Sequence, residues 1–262
     1  VPGGRVILTR DTGVSNILAS DVMASNLALV HRGPDGAIKD VRDLGSGLVT
    51  NIGVNVMAND FTWAAGATLK LMNYHAIGTG TTAAAASDFY LQTANGTTNV
   101  SGTTNGYMTG TQSYVSPNQY KTVATFTFTG AVAVTEWALA MNNGANFSGT
   151  ATSTTATSLT NTGAAFTTTG NGLQGWSAEA NSTAINTPTT TVMGQVSTNT
   201  GTVLTLLGGW LTLANAGAAT PGGTTSYVVY PSIWDHKVFS VVNAANGDTI
   251  QFTYTLTINS GG

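Results

Sequence analysis

The stretch TIQFTYTLTI, residues 249–258, decides the fold. Ile250, Phe252, Tyr254, Leu256 and Ile258 alternate with polar residues without a break. Successive side chains of a strand point to opposite faces, so this period of two predicts a strand with one face buried and one wet. The same texture extends upstream. YKTVATFTFT (120–129), residues 131–140 and residues 238–242 read as further strands, as does 68–74. Asn-Gly and Gly-Asp steps at 95–96, 105–106 and 246–248 supply turns. A chain built this way predicts an all-β fold, an antiparallel and jelly-roll-like β-sandwich. Trp137, Trp234, Phe252, Tyr254 and Leu256 are its expected core. Two segments have helical spacing instead. One is 16–29, with Asp21 inside it. The other is GLVTNIGVNVMANDF (47–61), where Leu48, Val49, Ile52 and Val56 fall near one face and Gly53 weakens the pattern.

Composition narrows the function. Apolar residues make up 42 % of the 262, enough for a core. Charged residues are only 7 %, against about 25 % in ordinary globular proteins. Thr, Ser, Asn, Gly and Ala must therefore cover the surface. Such a surface repels its own copies weakly, so a homo-oligomer, in trimeric form, is expected. The net charge of −3 and the lack of a basic stripe argue against nucleic acid as a partner. No apolar run reaches the length of a membrane span, so no membrane partner is expected either. Cysteine is absent, which removes disulfides, thiolate metal sites and Cys nucleophiles.

The chain divides into three by texture. Residues 1–46 carry five of the eight basic residues: Arg5, Arg10, Arg32, Lys39 and Arg42. This leader reads as an arm that docks on a partner, with Arg5, Arg10 and Arg32 as candidate contacts. An edge strand with loops is the competing reading. A turn is expected at Gly33-Pro34-Asp35-Gly36. Residues 47–147 and 232–262 form the main sandwich. Between them, 148–231 is rich in Thr and Gly, and Glu179 is its only charged residue. It reads as an inserted β module with short strands at 157–160, 191–197, 203–207 and 226–230. The strands around Trp137 and Trp234 would then be neighbours, because insertions succeed where the two ends lie close together. Trp176 and Trp210, inside the module, are the candidates for outward binding.

Three stretches also carry a resemblance. NYHAIGTGTTAAAASDFYLQT (73–93), AVTEWAL (133–139) and the terminal stretch from Trp234 onward resemble segments of bacteriophage virion structural proteins. SLTNTGAAF (158–166) and STNTGTVLTLLGGW (197–210), in the insertion, are similar to pieces of other phage structural proteins. The resemblance covers roughly two thirds of the chain. It implies a capsid decoration, head-fibre or tail-associated role in a virion assembled in the host cytoplasm. The implied partners are the major capsid protein or other virion proteins. A tail-associated protein that recognises host surface glycans is the alternative. No catalytic residue comes with the resemblance.

A search for chemistry adds little. His31, His75 and His236 fall in no metal-ligand spacing, and no G-x-S-x-G elbow is present. Asn246-Gly247-Asp248 is too sparse for calcium. A Glu136/Asp235 pair flanked by Trp137 and Trp234 has the residue types of a glycosidase. The stronger reading pairs Asp235 with His236 or Lys237 and turns Glu136 to solvent or to a turn. No enzyme activity, metal or cofactor is expected.

Overall fold

The computed structural model describes residues 23–51, 53–54, 72–86, 88–115, 117–169, 172–181, 192–212 and 219–258. Within these the fold is all-β, and every strand pairing is antiparallel. One sheet runs in the order β2 (Ile38–Gly45), β1 (Met23–Arg32), β18 (Thr249–Ile258), β8 (Gln119–Phe128) and β5 (Val100–Ser101). A sixth strand, β7 (Thr111–Val115), also pairs with β8. A five-stranded sheet runs β3 (Leu48–Val49), β17 (Ile233–Ala244), β9 (Val132–Ala140), β4 (Tyr74–Gly78) and β6 (Tyr107–Thr109).

The alternation in 249–258 does what its period requires. Ile250, Phe252, Tyr254 and Leu256 are buried, while Ile258, at the strand end, is half exposed. Trp137 of β9 stacks on Tyr254 of β18, with ring centroids 5.5 Å apart. The Trp234 indole N–H donates to the Tyr254 hydroxyl at 3.0 Å. These contacts join the two sheets face to face around Leu27, Leu29, Phe126, Phe128, Val134 and Leu139. Trp137 itself is fully buried, and its indole N–H donates to His75 Nδ1 at 3.0 Å. Trp137→Ala should therefore cost about 3–5 kcal/mol, the usual range for emptying a large aromatic site. Equilibrium unfolding in denaturant checks this; a loss under about 1 kcal/mol would mean the sheets are not held together here.

Several sequence expectations need correction. Residues 23–29 of the stretch expected as a helix belong to strand β1, and residues 16–22 lie outside the described residues. All ten residues of β1 pair with β18, and Leu27 and Leu29 enter the core with period two. That ladder overrides a weak helical pattern. The leader is accordingly no arm from residue 23 onward. It is a hairpin of the six-stranded sheet, turning at 33–36 with Gly36 at φ 79°. Leu48 and Val49, expected in a helix, form β3. A helical turn starts only at Asn51, where Thr50 Oγ1 accepts the Gly53 N–H at 2.9 Å as an N-cap. Residues 55–61 lie outside the description. The strand expected at 68–74 begins at Tyr74, and 68–71 are likewise outside.

Among the described residues of 147–230 there are seven consecutive strands, and these form a sheet of their own. Its order is β10 (Phe147–Thr150), β16 (Ser226–Tyr230), β13 (Ser177–Ala180), β14 (Val192–Asn199), β15 (Val203–Thr212), β12 (Ser158–Thr160) and β11 (Ser153–Thr155). Leu159, Phe166, Leu173, Val196, Leu204 and Val229 make its core. The flanking strands β9 and β17 are neighbours, with Ala140 opposite Ile233 and Trp137 opposite Lys237. The second face of this sheet meets the rest of the molecule. Met193, Val228 and Tyr230 join the main core, and Tyr230 lies 5.8 Å from Phe89 and 5.5 Å from Tyr90. Ser177 and Ser232 hydroxyls share a 2.6 Å hydrogen bond at the same seam.

Candidate functional site

The residues expected to bind a partner are not brought together. Arg5 and Arg10 lie outside the described residues. Arg32 ends β1, exposed, and donates to the Gly36 carbonyl at 3.2 Å across the turn. Trp176 and Trp210 do not face outward: they are 4 % and 1 % exposed. Trp176 packs on Phe147, and the Trp210 indole N–H donates to the Thr155 carbonyl at 3.1 Å. A single sheet must bury one face, and in this Thr/Gly-rich segment the two indoles are its largest apolar groups.

The chemistry converges instead on Glu136, which the sequence reading turned to solvent or to a turn; it does not face solvent but caps a loop. Glu136 is fully buried on the outer face of β9, the face opposite Trp137. Its Oε1 accepts the backbone N–H of Gly80 and of Thr93, each at 2.8 Å. Its Oε2 accepts the Gln92 N–H at 2.9 Å and lies 3.1 Å from His236 Nε2. The other ring nitrogen of His236 is 2.7 Å from Asp88 Oδ2. Both imidazole nitrogens thus face carboxylates, which only accept, so both carry protons and the ring is an imidazolium.

This trio is a staple for the loop 79–93. The loop leaves and rejoins the sheet at one place, with Thr79 N–H donating to Thr93 O and Asn95 N–H to Ile77 O, each at 2.9 Å. Gly78 and Gly80 make the approach possible. A Cβ at either would stand 2.3 or 2.7 Å from Glu136 Oε1. The loop then lays Phe89, Tyr90 and Leu91 over the five-stranded sheet and toward the seven-stranded one.

Burial alone would lower the His236 pKa, but the bonds to Asp88 and Glu136 outweigh it and lift it to about 9. Burial alone would raise Glu136; the His236 and backbone hydrogen bonds outweigh it and hold the group below its ordinary value. A raised histidine stabilises the fold fully below its unfolded value of about 6.5, and the contribution is lost as pH rises through about 9. Stability should therefore decline from neutral pH to beyond 9, on the order of 2–3 kcal/mol. Denaturation midpoints measured across this range check it; a flat or rising midpoint would mean that His236 is neutral when folded.

Asp235 does not join Glu136. It lies on the opposite side of the sheet, among Ser25, Tyr254 and Gly47. A Cβ at position 47 would overlap its carboxylate. Burial raises Asp235 to about 6, against smaller opposing effects of nearby Ser25, Tyr254, His236 and Lys237. The pair expected as glycosidase residue types is thus separated by the sheet, and both oxygens of Glu136 are already occupied. His75 is also internal. It accepts from Trp137 and contacts Thr122 Oγ1 at 3.2 Å, and burial lowers it to about 3, so it is neutral. His31 and Lys39 both reach Asp248, at 2.9 and 2.6 Å. Burial would raise Asp248, but the bonds from Lys39, the Ala245 N–H and His31 hold it at about 2. The 246–248 turn is therefore tied down by charge, and it links two sheets instead of closing a hairpin. Among the described residues no group of three His, Asp or Glu is arranged to hold a metal ion.

On the exterior, an open groove of about 790 Å³ lies where β7 meets β8. Tyr114, 74 % exposed, stands on its rim beside Gln112, Asn118, Gln119 and Tyr120. Comparison with family models, curated proteins and solved structures gives no match to the chain.

Proposed function

We propose that the chain is a structural protein of a bacteriophage particle, a capsid decoration or head-fibre subunit that adheres to the outer shell. One observation carries this reading. The three stretches that resemble phage virion proteins meet around the buried Glu136 and His236: Gly80, Asp88, Gln92 and Thr93 come from the first, Glu136 from the second and His236 from the third. Segments far apart in sequence behave as one structural unit, and that unit spends its charged groups on rigidity. Its partners are virion proteins and copies of itself. Particle labelling with quantitative mass spectrometry tests it. Hundreds of copies on the head support the reading, and a handful at the tail overturn it.

The groove at Tyr114 favours a second reading, a tail-associated protein that binds host glycans. An exposed aromatic ring flanked by amide side chains suits a sugar, whose faces are apolar and whose edges carry hydroxyls. Glycan binding that Tyr114→Ala abolishes would support it.

Residues 148–231 fit this picture as a module with a sheet of its own, packed on the main core through Met193, Val228 and Tyr230. Replacing 149–231 with a short Gly/Ser linker should leave a folded sandwich, because Ala140 and Ile233 are already paired. The product should be less stable, since Phe89 and Tyr90 lose Tyr230. Circular dichroism and thermal melting check both points; loss of the β signal would show one indivisible domain.

A further inference from the structure

Strand β2 forms an edge of the six-stranded sheet, and among the described residues no strand pairs with its far side. An open edge is a template for another strand, and proteins blunt such edges with charge. β2 is charged, with Lys39, Asp40, Arg42 and Asp43 around Val41. The order of those charges, however, is self-complementary.

Two copies laid antiparallel with Val41 opposite Val41 set Lys39 against Asp43 and Asp40 against Arg42. The same pairs recur on the other side of the axis, and Ile38 meets Leu44. The antiparallel registers one or two residues away fail. Sliding by one residue opposes Lys39 to Arg42 in one direction and Asp40 to Asp43 in the other. Sliding by two opposes Asp40 or Arg42 to itself. Parallel pairing in register opposes every charge to its like. Directly opposed like charges destabilise a strand pair and unlike charges support it. Among antiparallel registers within two residues of this one, the edge therefore admits its own copy only here, and this register alone centres a two-fold axis on Val41.

The apolar residues agree. Ile38 and Val41 are 57 % and 61 % exposed, large apolar side chains left on the surface of a single chain. The charged ones are already ordered. Arg42 Nε bonds Asp40 Oδ2 at 2.6 Å, and Arg42 also donates to the Ser240 carbonyl. A second copy brings the same pair in reverse order and closes a ring of four alternating charges.

We propose that β2 is a homodimer contact, two copies joining edge to edge about a two-fold axis through Val41 so that their six-stranded sheets become continuous. The contact is isologous, with the same patch on both sides. It is two-fold, where composition led to the expectation of a trimer. It does not depend on where in a particle the chain sits.

Charge at the axis tests it. Val41→Lys and Val41→Glu each place like charges against each other, so each variant alone should dimerise at least about tenfold more weakly than the wild type in sedimentation velocity. An equimolar mixture of the two should recover the dimer, because Lys then faces Glu. Val41 is exposed, so at concentrations where wild type and variants are all monomeric both variants should keep the wild-type melting curve. The chain has no cysteine, which permits a second test. Oxidised Val41→Cys should form a disulfide-linked dimer. Ile38→Cys, equally exposed, should not, because its two copies stand about 20 Å apart along the strands. A wild type that stays monomeric at every concentration, a mixture that fails to recover the dimer, or equal cross-linking from both positions would overturn the proposal.

Discussion

Glu136→Ala is expected to lower stability by about 3–5 kcal/mol, the range for breaking a buried ion pair from one side. The change removes one acceptor group and strands four donors. The N–H groups of Gly80, Gln92 and Thr93 lose their partner, and the His236 imidazolium keeps only Asp88. Each buried donor left unmade costs about 1–3 kcal/mol, so the total is limited by how far the loop 79–93 can open to water. Opening has its own cost, because the loop carries Phe89 and Leu91 out of the apolar layer. Glu136→Gln should fall between wild type and Ala. It keeps the shape and one acceptor oxygen but turns the other position into a donor facing His236 or the loop amides. Hydrogen exchange gives a direct readout. In Glu136→Ala the amides of 80, 92 and 93 should exchange faster than those of β18. Unchanged protection there, with unchanged stability, would remove the staple from the account of this fold.

Deletion of residues 1–46 is expected to abolish folding. It removes β1, every residue of which is paired with β18, and it removes Leu27 and Leu29, both essentially inaccessible to solvent. Burying a leucine stabilises by about 1.5–3 kcal/mol. Two of them, with a ten-residue ladder, approach the 5–15 kcal/mol total stability of a typical domain. β18 would also become an open edge with an apolar face, a hazard for aggregation. A deletion that stops at residue 22 takes none of these groups. Solubility and circular dichroism of the two truncations separate the cases. A soluble, β-rich product lacking 1–46 would restore the reading of the leader as a detachable arm.

These two regions show where sequence reading works here and where it stops. The pairing of β9 with β17 across the insertion was legible, because Trp137 and Trp234 sit in strongly patterned strands that resume after a chemically different segment. The interior of β18 was legible from its period alone. β1 was not. Its Leu, Ala and Val residues fit a helical and a strand period equally over so short a span, and its partner is at the other end of the chain. The solvent-facing alternative for Glu136 failed for a related reason, while its role as a cap of backbone N–H groups was legible. Alternation places it on the face opposite Trp137, and a lone sheet would leave that face wet. Here an aperiodic loop covers it. One signal was present: Ala138 and Ala140 on the same face are apolar, so the strand reads as buried on both sides. Trp176 and Trp210 were assigned outward because they lie in the inserted module, yet a segment poor in large apolar residues is the one that most needs its indoles inside.

The pairing of Ala140 with Ile233 has a consequence for how such a gene can change. Everything between these two residues enters and leaves through one narrow doorway in the five-stranded sheet. Strand pairing on either side of the doorway is complete without it. Recombination at two points in the coding sequence can therefore exchange the whole passenger for another of different length, and the chassis keeps its register. The closure penalty for a longer passenger grows only with the logarithm of its length. What a replacement must supply is the seam: apolar groups in the places that Met193, Val228 and Tyr230 occupy now, the last of them under Phe89 and Tyr90.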